Sequence, residues 1–200
     1  MELNERNLNL FTDFFTGNTA EVDNKDDDYK NLFLTYASDN NSSTVREAVT
    51  LHYLGYTSRK EKHGADGIAP NTGQEVEVKP KYVTKGKKLS SAVGNFNDMT
   101  LELLEKKKNY SVIGSLFSDT RLIYVVEFPI SLIYEKMKQH IIKKIEGKAG
   151  KRVVCSFSYK QYDSDLLTVH YFDEKTSKEI KILSKPHTKM LTKRKNDKTK

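Results

Sequence analysis

Two apolar, β-branched runs, "YSVIGSLF" (110–117) and "RLIYVVEF" (121–128), are joined by only "SDT". Strand-like arms this close in sequence predict a β-hairpin, and their apolar content places it inside the core. Such a hairpin excludes a purely helical bundle. Helical periodicity surrounds it on both sides, which excludes an all-β sandwich. The spacing predicts helices over 4–16 (Leu8, Leu10, Phe11, Phe14 and Phe15 on one face), 29–37, 44–56 with Gly55 as the stop, 100–108, and 130–147. Pro129 opens the last of these and Gly147 ends it. The acidic stretch 16–28 reads as a loop, and "VTKGKKLSSAVGNFNDMT" (83–100) as a lysine-rich loop and turn. Segments 151–160 and 166–172 read as a late strand pair, with a further strand over 178–185. No internal repeat is visible. The order predicts an α/β (α+β) fold with a mixed central β-sheet flanked by helices. It divides into an N-terminal helical segment with an acidic loop (1–40), a core domain (41–174) and a basic C-terminal extension (175–200).

Composition limits the functions open to such a fold. Of 200 residues, 36% are hydrophobic and 30% charged, so the core is modest, and no apolar run approaches the length of a membrane span. The N-terminus has no basic stretch followed by an apolar one, as a secretory leader would. The single cysteine, Cys155, excludes an internal disulfide and a cysteine-cluster zinc site, and a reducing cytoplasm is the simplest compartment. The net charge of +7 is concentrated at the C-terminus. Residues 175–200 hold ten Lys/Arg against Glu179 and Asp197, and the remainder is close to neutral. An unstructured tail of that kind serves solubility or gives weak nucleic-acid affinity through counterion release.

Chemistry gathers in "HGADGIAPNTGQEVEVKPK" (63–81). "PNTG" (70–73) is a turn, so "ADGIA" and "QEVEV" pair as antiparallel strands. With Ala69 facing Gln74, Asp66 falls opposite Glu77. Val76 and Val78 face one side of the strand, and Glu75, Glu77 and Lys79 the other. Opposed carboxylates destabilise a sheet unless a cation lies between them. Mg²⁺ takes oxygen ligands, with waters and phosphates completing its shell, and it promotes attack of water on a phosphodiester. The alternative is a solvent-facing hairpin in which Lys79 pairs with Glu77.

The residues Asp66 and Glu77-Val78-Lys79, with the flanking "GADG", resemble the signature of the PD-(D/E)xK nuclease superfamily, which includes most type II restriction endonucleases and several repair and recombination nucleases. Ala65 stands where the family name has proline. The resemblance implies a restriction-endonuclease-like core and a Mg²⁺-dependent DNA endonuclease, with Mn²⁺ as a substitute metal. It further implies Asp66 and Glu77 as metal ligands, Lys79 positioning the attacking water, and products with a 5′-phosphate and a 3′-hydroxyl. Double-stranded DNA is the expected partner, and a homodimer is expected for cutting a palindrome. Many members also carry a glutamate on the helix before the Asp strand, and Glu47 is placed that way. Glu47 has a second reading, as the N3 residue of a capping box begun by Thr44.

Other candidates are weaker signals. Lys81, Lys85, Lys87 and Lys88 could approach phosphates and Asn95 and Asn97 could read base edges, although a solvated loop accounts for any single lysine. Asp98 reads as the cap of the next helix. His63 lies near the proposed site, and a surface role accounts for it. Glu75 is left without a catalytic role. No histidine pair has metal-ligand spacing, and no glycine-rich phosphate loop or Gly-x-Ser-x-Gly elbow is present. A repair, recombination or phage nuclease, or a non-catalytic nucleic-acid-binding protein, remain the competing readings.

Overall fold

The computed structural model describes residues 4–38, 43–59, 64–119, 121–145 and 152–197. Helix α1 (Glu5–Thr16) starts where the Asn4 side chain accepts the Asn7 N–H at 3.0 Å and stops at Gly17, whose φ of 106° suits glycine. Its buried face is Leu10, Phe11, Phe14 and Phe15. The acidic stretch expected to be a loop instead contains the one-turn helix α2 (Ala20–Asp23) and the start of α3 (Asp27–Ser38). Here acidity marks a helix start: Asp26 Oδ1 accepts the Tyr29 N–H at 2.8 Å, and Asp27 and Asp28 occupy the first turn, where the helix dipole favours them. Helix α4 (Ser43–Tyr53) follows and ends before Gly55, at φ 68°.

Strands β1 (Thr57–Ser58), β2 (Gly67–Ile68) and β3 (Glu75–Tyr82) come next. Gly67 pairs with Val76 and Ile68 with Glu75, the register read from the sequence. Residues 83–100 differ from expectation, because β4 (Ala92–Met99) lies within them. Its alternation is interrupted by register shifts between Ala92 and Gly94 and between Phe96 and Met99, which disguised the strand. Gly94 has a packing reason, since a Cβ there would lie 2.2 Å from the Phe157 ring. Thr100, not Asp98, caps α5 (Leu101–Lys106), accepting the Leu103 N–H at 3.1 Å. Asp98 sits in the left-handed region at φ 54°.

The central hairpin forms as expected from β5 (Ser111–Ser118) and β6 (Arg121–Pro129). Pro129 closes β6 rather than opening α6 (Ser131–Ile145); Gly147 lies outside the described residues. The two late strands do not pair with each other. β7 (Val153–Ser158) joins β4 in a two-stranded sheet, and β8 (Thr168–Phe172) adds to β6. Residues 178–185 are not a strand: α7 (Glu174–Glu179), capped by Asp173, leads through a turn into α8 (Lys185–Asp197).

The fold is therefore mixed α/β, with a six-stranded sheet ordered β1-β2-β3-β5-β6-β8 in which only β3 and β5 run parallel. One face, including Val76, Val78, Ile113 and Phe117, packs on Phe11, Phe15 and Phe33 of the N-terminal helices and Val49 of α4. The other packs on Phe96, Phe157 and Tyr162, and on Ile182 and Leu191 from the C-terminal segment. That segment is not an unstructured tail through residue 197, because Leu191 and His187 of α8 are fully buried. Among the described residues no helix is long and apolar enough to cross a membrane.

Leu191→Ala should destabilise the protein by about 3 kcal/mol, as core truncations do, while Lys193→Ala, at an exposed position on α8, should change stability by less than about 0.5 kcal/mol. Urea unfolding monitored by circular dichroism measures both, and an unchanged midpoint for Leu191→Ala would show that α8 does not contribute to the core.

Candidate active site

Alternation along β3 sends Val76 and Val78 into the core beneath the N-terminal helices and turns Glu77 and Lys79 to the opposite side. The ladder with β2 ends at Gly67, and Asp66 departs from it. Its N–H bonds the Val76 carbonyl at 3.0 Å, and its Oδ2 accepts the Val78 N–H at 2.7 Å. The carboxylate is thus fixed by backbone across the gap between the strands. Lys79 Nζ donates to Glu77 Oε1 at 2.6 Å and lies 4.0 Å from Asp66 Oδ2, bridging the two acids. It also sits 5.0 Å from the centre of the Phe96 ring.

A fourth member escaped the sequence reading. Lys107, one residue beyond α5, is only 7% exposed, and its Nζ donates to Glu77 Oε2 at 2.5 Å and to the Gly64 carbonyl at 3.1 Å. In "LEKKKNY" it is one of three consecutive lysines, and nothing in their spacing separates it from its solvated neighbours.

The two carboxyls respond in opposite directions. Burial acts to raise Glu77, yet the charges of Lys79 and Lys107 overcome it and hold Glu77 below its ordinary value. Asp66 is pushed up to about 6 from 3.8, first by burial and then by the Glu77 charge. Lys79 and the Val78 N–H oppose that rise, and Glu47 adds to it. Asp66 is therefore the carboxyl of the pair that holds a proton more tightly.

Glu47 lies in the second turn of α4, and Thr44 lies inside the helix rather than at its cap, so the alternative reading of Glu47 as the N3 residue of a capping box begun by Thr44 does not hold. Glu47 opens with Asp66 onto one cleft, and with Lys79, Lys81, Asn95 and Asn97 onto a neighbouring one of about 510 Å³. Asn95 and Asn97 also face the hollow around Asp66 and Glu77, and Ser156 of β7 donates to Asn95 Oδ1 at 2.8 Å. The structure thus brings Asp66, Glu77, Lys79, Glu47, Lys81, Asn95 and Asn97 to one surface. Lys85, Lys87 and Lys88 are exposed on the β3–β4 connection and do not line these clefts. Arg152 and Asp98, which the sequence did not assign to the site, do line the hollow. Glu75 turns to Arg59, at 3.1 Å. His63 lies outside the described residues.

Among the described residues no group of three His, Cys, Asp or Glu side chains is placed to hold a metal ion. Asp66 and Glu77 nevertheless fit a hard divalent cation. They supply charged oxygen donors that already share one ammonium, and Mg²⁺ is commonly held by one or two carboxylates with the rest of its shell from water and phosphate. No protein-family model matches the chain, and no curated protein matches its sequence.

The raised Asp66 carboxyl gives a signed prediction. The folded state holds this proton more tightly than the unfolded chain, so the contribution of Asp66 to stability falls as pH rises from about 4 through about 6. Glu77 behaves oppositely: its contribution is present above 4.5 and is lost as pH falls through its lowered value. Asp66→Asn should therefore be more stable than wild type at pH 8. The gain should be about 1 kcal/mol, given that the side chain is 31% exposed and partly screened. It should vanish near pH 4. Urea unfolding across that range checks this, and a gain independent of pH would contradict it.

Proposed function

We propose that this protein is a Mg²⁺-dependent DNA endonuclease of the type II restriction kind, hydrolysing phosphodiester bonds in double-stranded DNA. One observation carries the reading: Asp66, just before β2, and Glu77 on β3 come together, and Lys79 bridges them beside a cleft lined by Lys81, Asn95 and Asn97. The resemblance of Asp66 and Glu77-Val78-Lys79 to the PD-(D/E)xK signature points the same way.

Each side chain has a part in that chemistry. Asp66 and Glu77 would hold the divalent metal, and Glu47, open to the same surface, would be an auxiliary ligand or organise the water around it. When bound, Mg²⁺ supplies neutralisation of the phosphate charge and a more acidic water. Lys79 donates hydrogen bonds from Nζ, and a phosphate oxygen or the attacking water can take the place of its bond to Glu77. Lys81 adds positive charge along the strand leading away from the acids. Asn95 and Asn97 carry paired donor and acceptor groups of the kind that read adenine edges, and the Ser156 bond fixes the orientation of Asn95. Exposed Lys85, Lys87 and Lys88 would contact phosphates away from the cut. Water attacks phosphorus, the bond to the 3′ oxygen breaks, and the products carry a 5′-phosphate and a 3′-hydroxyl. A homodimer would place two such sites on the two strands of a palindrome.

Plasmid DNA incubated with the protein and Mg²⁺ or Mn²⁺ should be cut, and EDTA should abolish cutting. Asp66→Ala and Lys79→Ala should each lower the rate by about 100-fold or more. Cleavage that survives both substitutions, or wild-type protein inactive with either metal, would overturn the assignment. Discrete fragments support restriction; smears or cuts at irregular DNA structures move the protein to repair or recombination.

A further inference from the structure

A lysine one residue past a short helix ordinarily reaches into water, but Lys107 is buried against Glu77. Lys79 holds one oxygen of that carboxylate and Lys107 the other. Lys107 also holds the Gly64 carbonyl, two residues before Asp66, so one ammonium ties together both segments that carry the acids. Formal charge sharpens its meaning. Asp66 and Glu77 are matched by Lys79 and Lys107, and the cluster is neutral as it stands. A divalent cation entering it alone would create excess positive charge in a partly buried setting, where such charge is expensive. Glu47 can offset one unit and a phosphodiester another.

We propose that Lys107 is a positioning residue acting through Glu77, and that its fixed charge makes uptake of a divalent cation depend on a phosphodiester arriving with it. This rests on the nuclease reading above. Lys107 places Glu77 and suppresses occupancy of the free protein by metal. DNA relieves the suppression, because its phosphate supplies the missing negative charge.

Mn²⁺ titration of the full chain, followed by the electron paramagnetic resonance of free Mn²⁺, tests this with and without a duplex bearing non-hydrolysable linkages, after subtraction of the duplex alone. Wild-type protein should bind Mn²⁺ at least about tenfold more tightly with the duplex. Lys107→Met should bind Mn²⁺ without DNA about tenfold more tightly than wild type, and the duplex should then add little. Lys107→Arg should restore wild-type behaviour, and in the Glu77→Gln background Lys107→Met should have a much smaller effect. Lys107→Gln keeps a donor to Glu77 without the charge and carries the same expectation should Lys107→Met fail to fold. Folded Lys107→Met or Lys107→Gln with wild-type Mn²⁺ affinity, while wild-type protein still cuts DNA, overturns the role of Lys107 alone. Binding that no duplex strengthens, together with absence of cleavage, overturns both this role and the nuclease reading.

Discussion

The Glu77 carboxylate, buried between the ammonium groups of Lys79 and Lys107, is the interaction on which the rest of this surface depends. A carboxylate 8% exposed cannot remain charged without such partners. Each partner commits a different part of the chain. Lys79 comes from the same strand two residues on, so β3 must keep its alternation. Lys107 comes from the end of α5 and draws that end against the sheet. Asp66 follows from the same arrangement: burial first and then the Glu77 charge raise its proton affinity, and one backbone N–H and a share of Lys79 only partly oppose that rise.

The layering explains why polar chemistry survives inside so small a core. On one side of the sheet, Val76 and Val78 close against the N-terminal helices. On the other, the β4–β7 pair packs Phe96 and Phe157 into the second core while leaving Asn95 and Asn97 exposed beside the acids. The small sheet is thus core on one face and cleft wall on the other. The close approach of Gly94 to Phe157 and to Lys79 Cβ shows how tightly the two sheets meet there.

Much of this was legible in sequence because it rests on local rules. The turn at 70–73 and the alternation of "EVEVK" were enough for the β2–β3 register, and two apolar runs across "SDT" were enough for the central hairpin. The failures share a physical cause, which is that tertiary contacts overrode local pattern. Two register shifts broke the alternation of β4, so a strand looked like a loop. Asp26, Asp27 and Asp28 looked like loop acidity until the cap and dipole of α3 gave them a place. The basic C-terminal segment looked solvated because its buried residues, Ser177, Ile182, His187 and Leu191, are sparse among lysines. Lys107 was the least legible of all, since only the fold distinguishes it from Lys106 and Lys108.

As proposed, Asp66 and Glu77 together would form a cation site facing the groove where DNA would lie. Anomalous diffraction from crystals grown with Mn²⁺ and a DNA duplex tests it most directly. A manganese peak within bonding distance of both carboxylates, with a phosphate oxygen completing its shell, is the expected result. Bound DNA with no peak there, or manganese seated elsewhere while Lys79 still bridges the two acids, would contradict it.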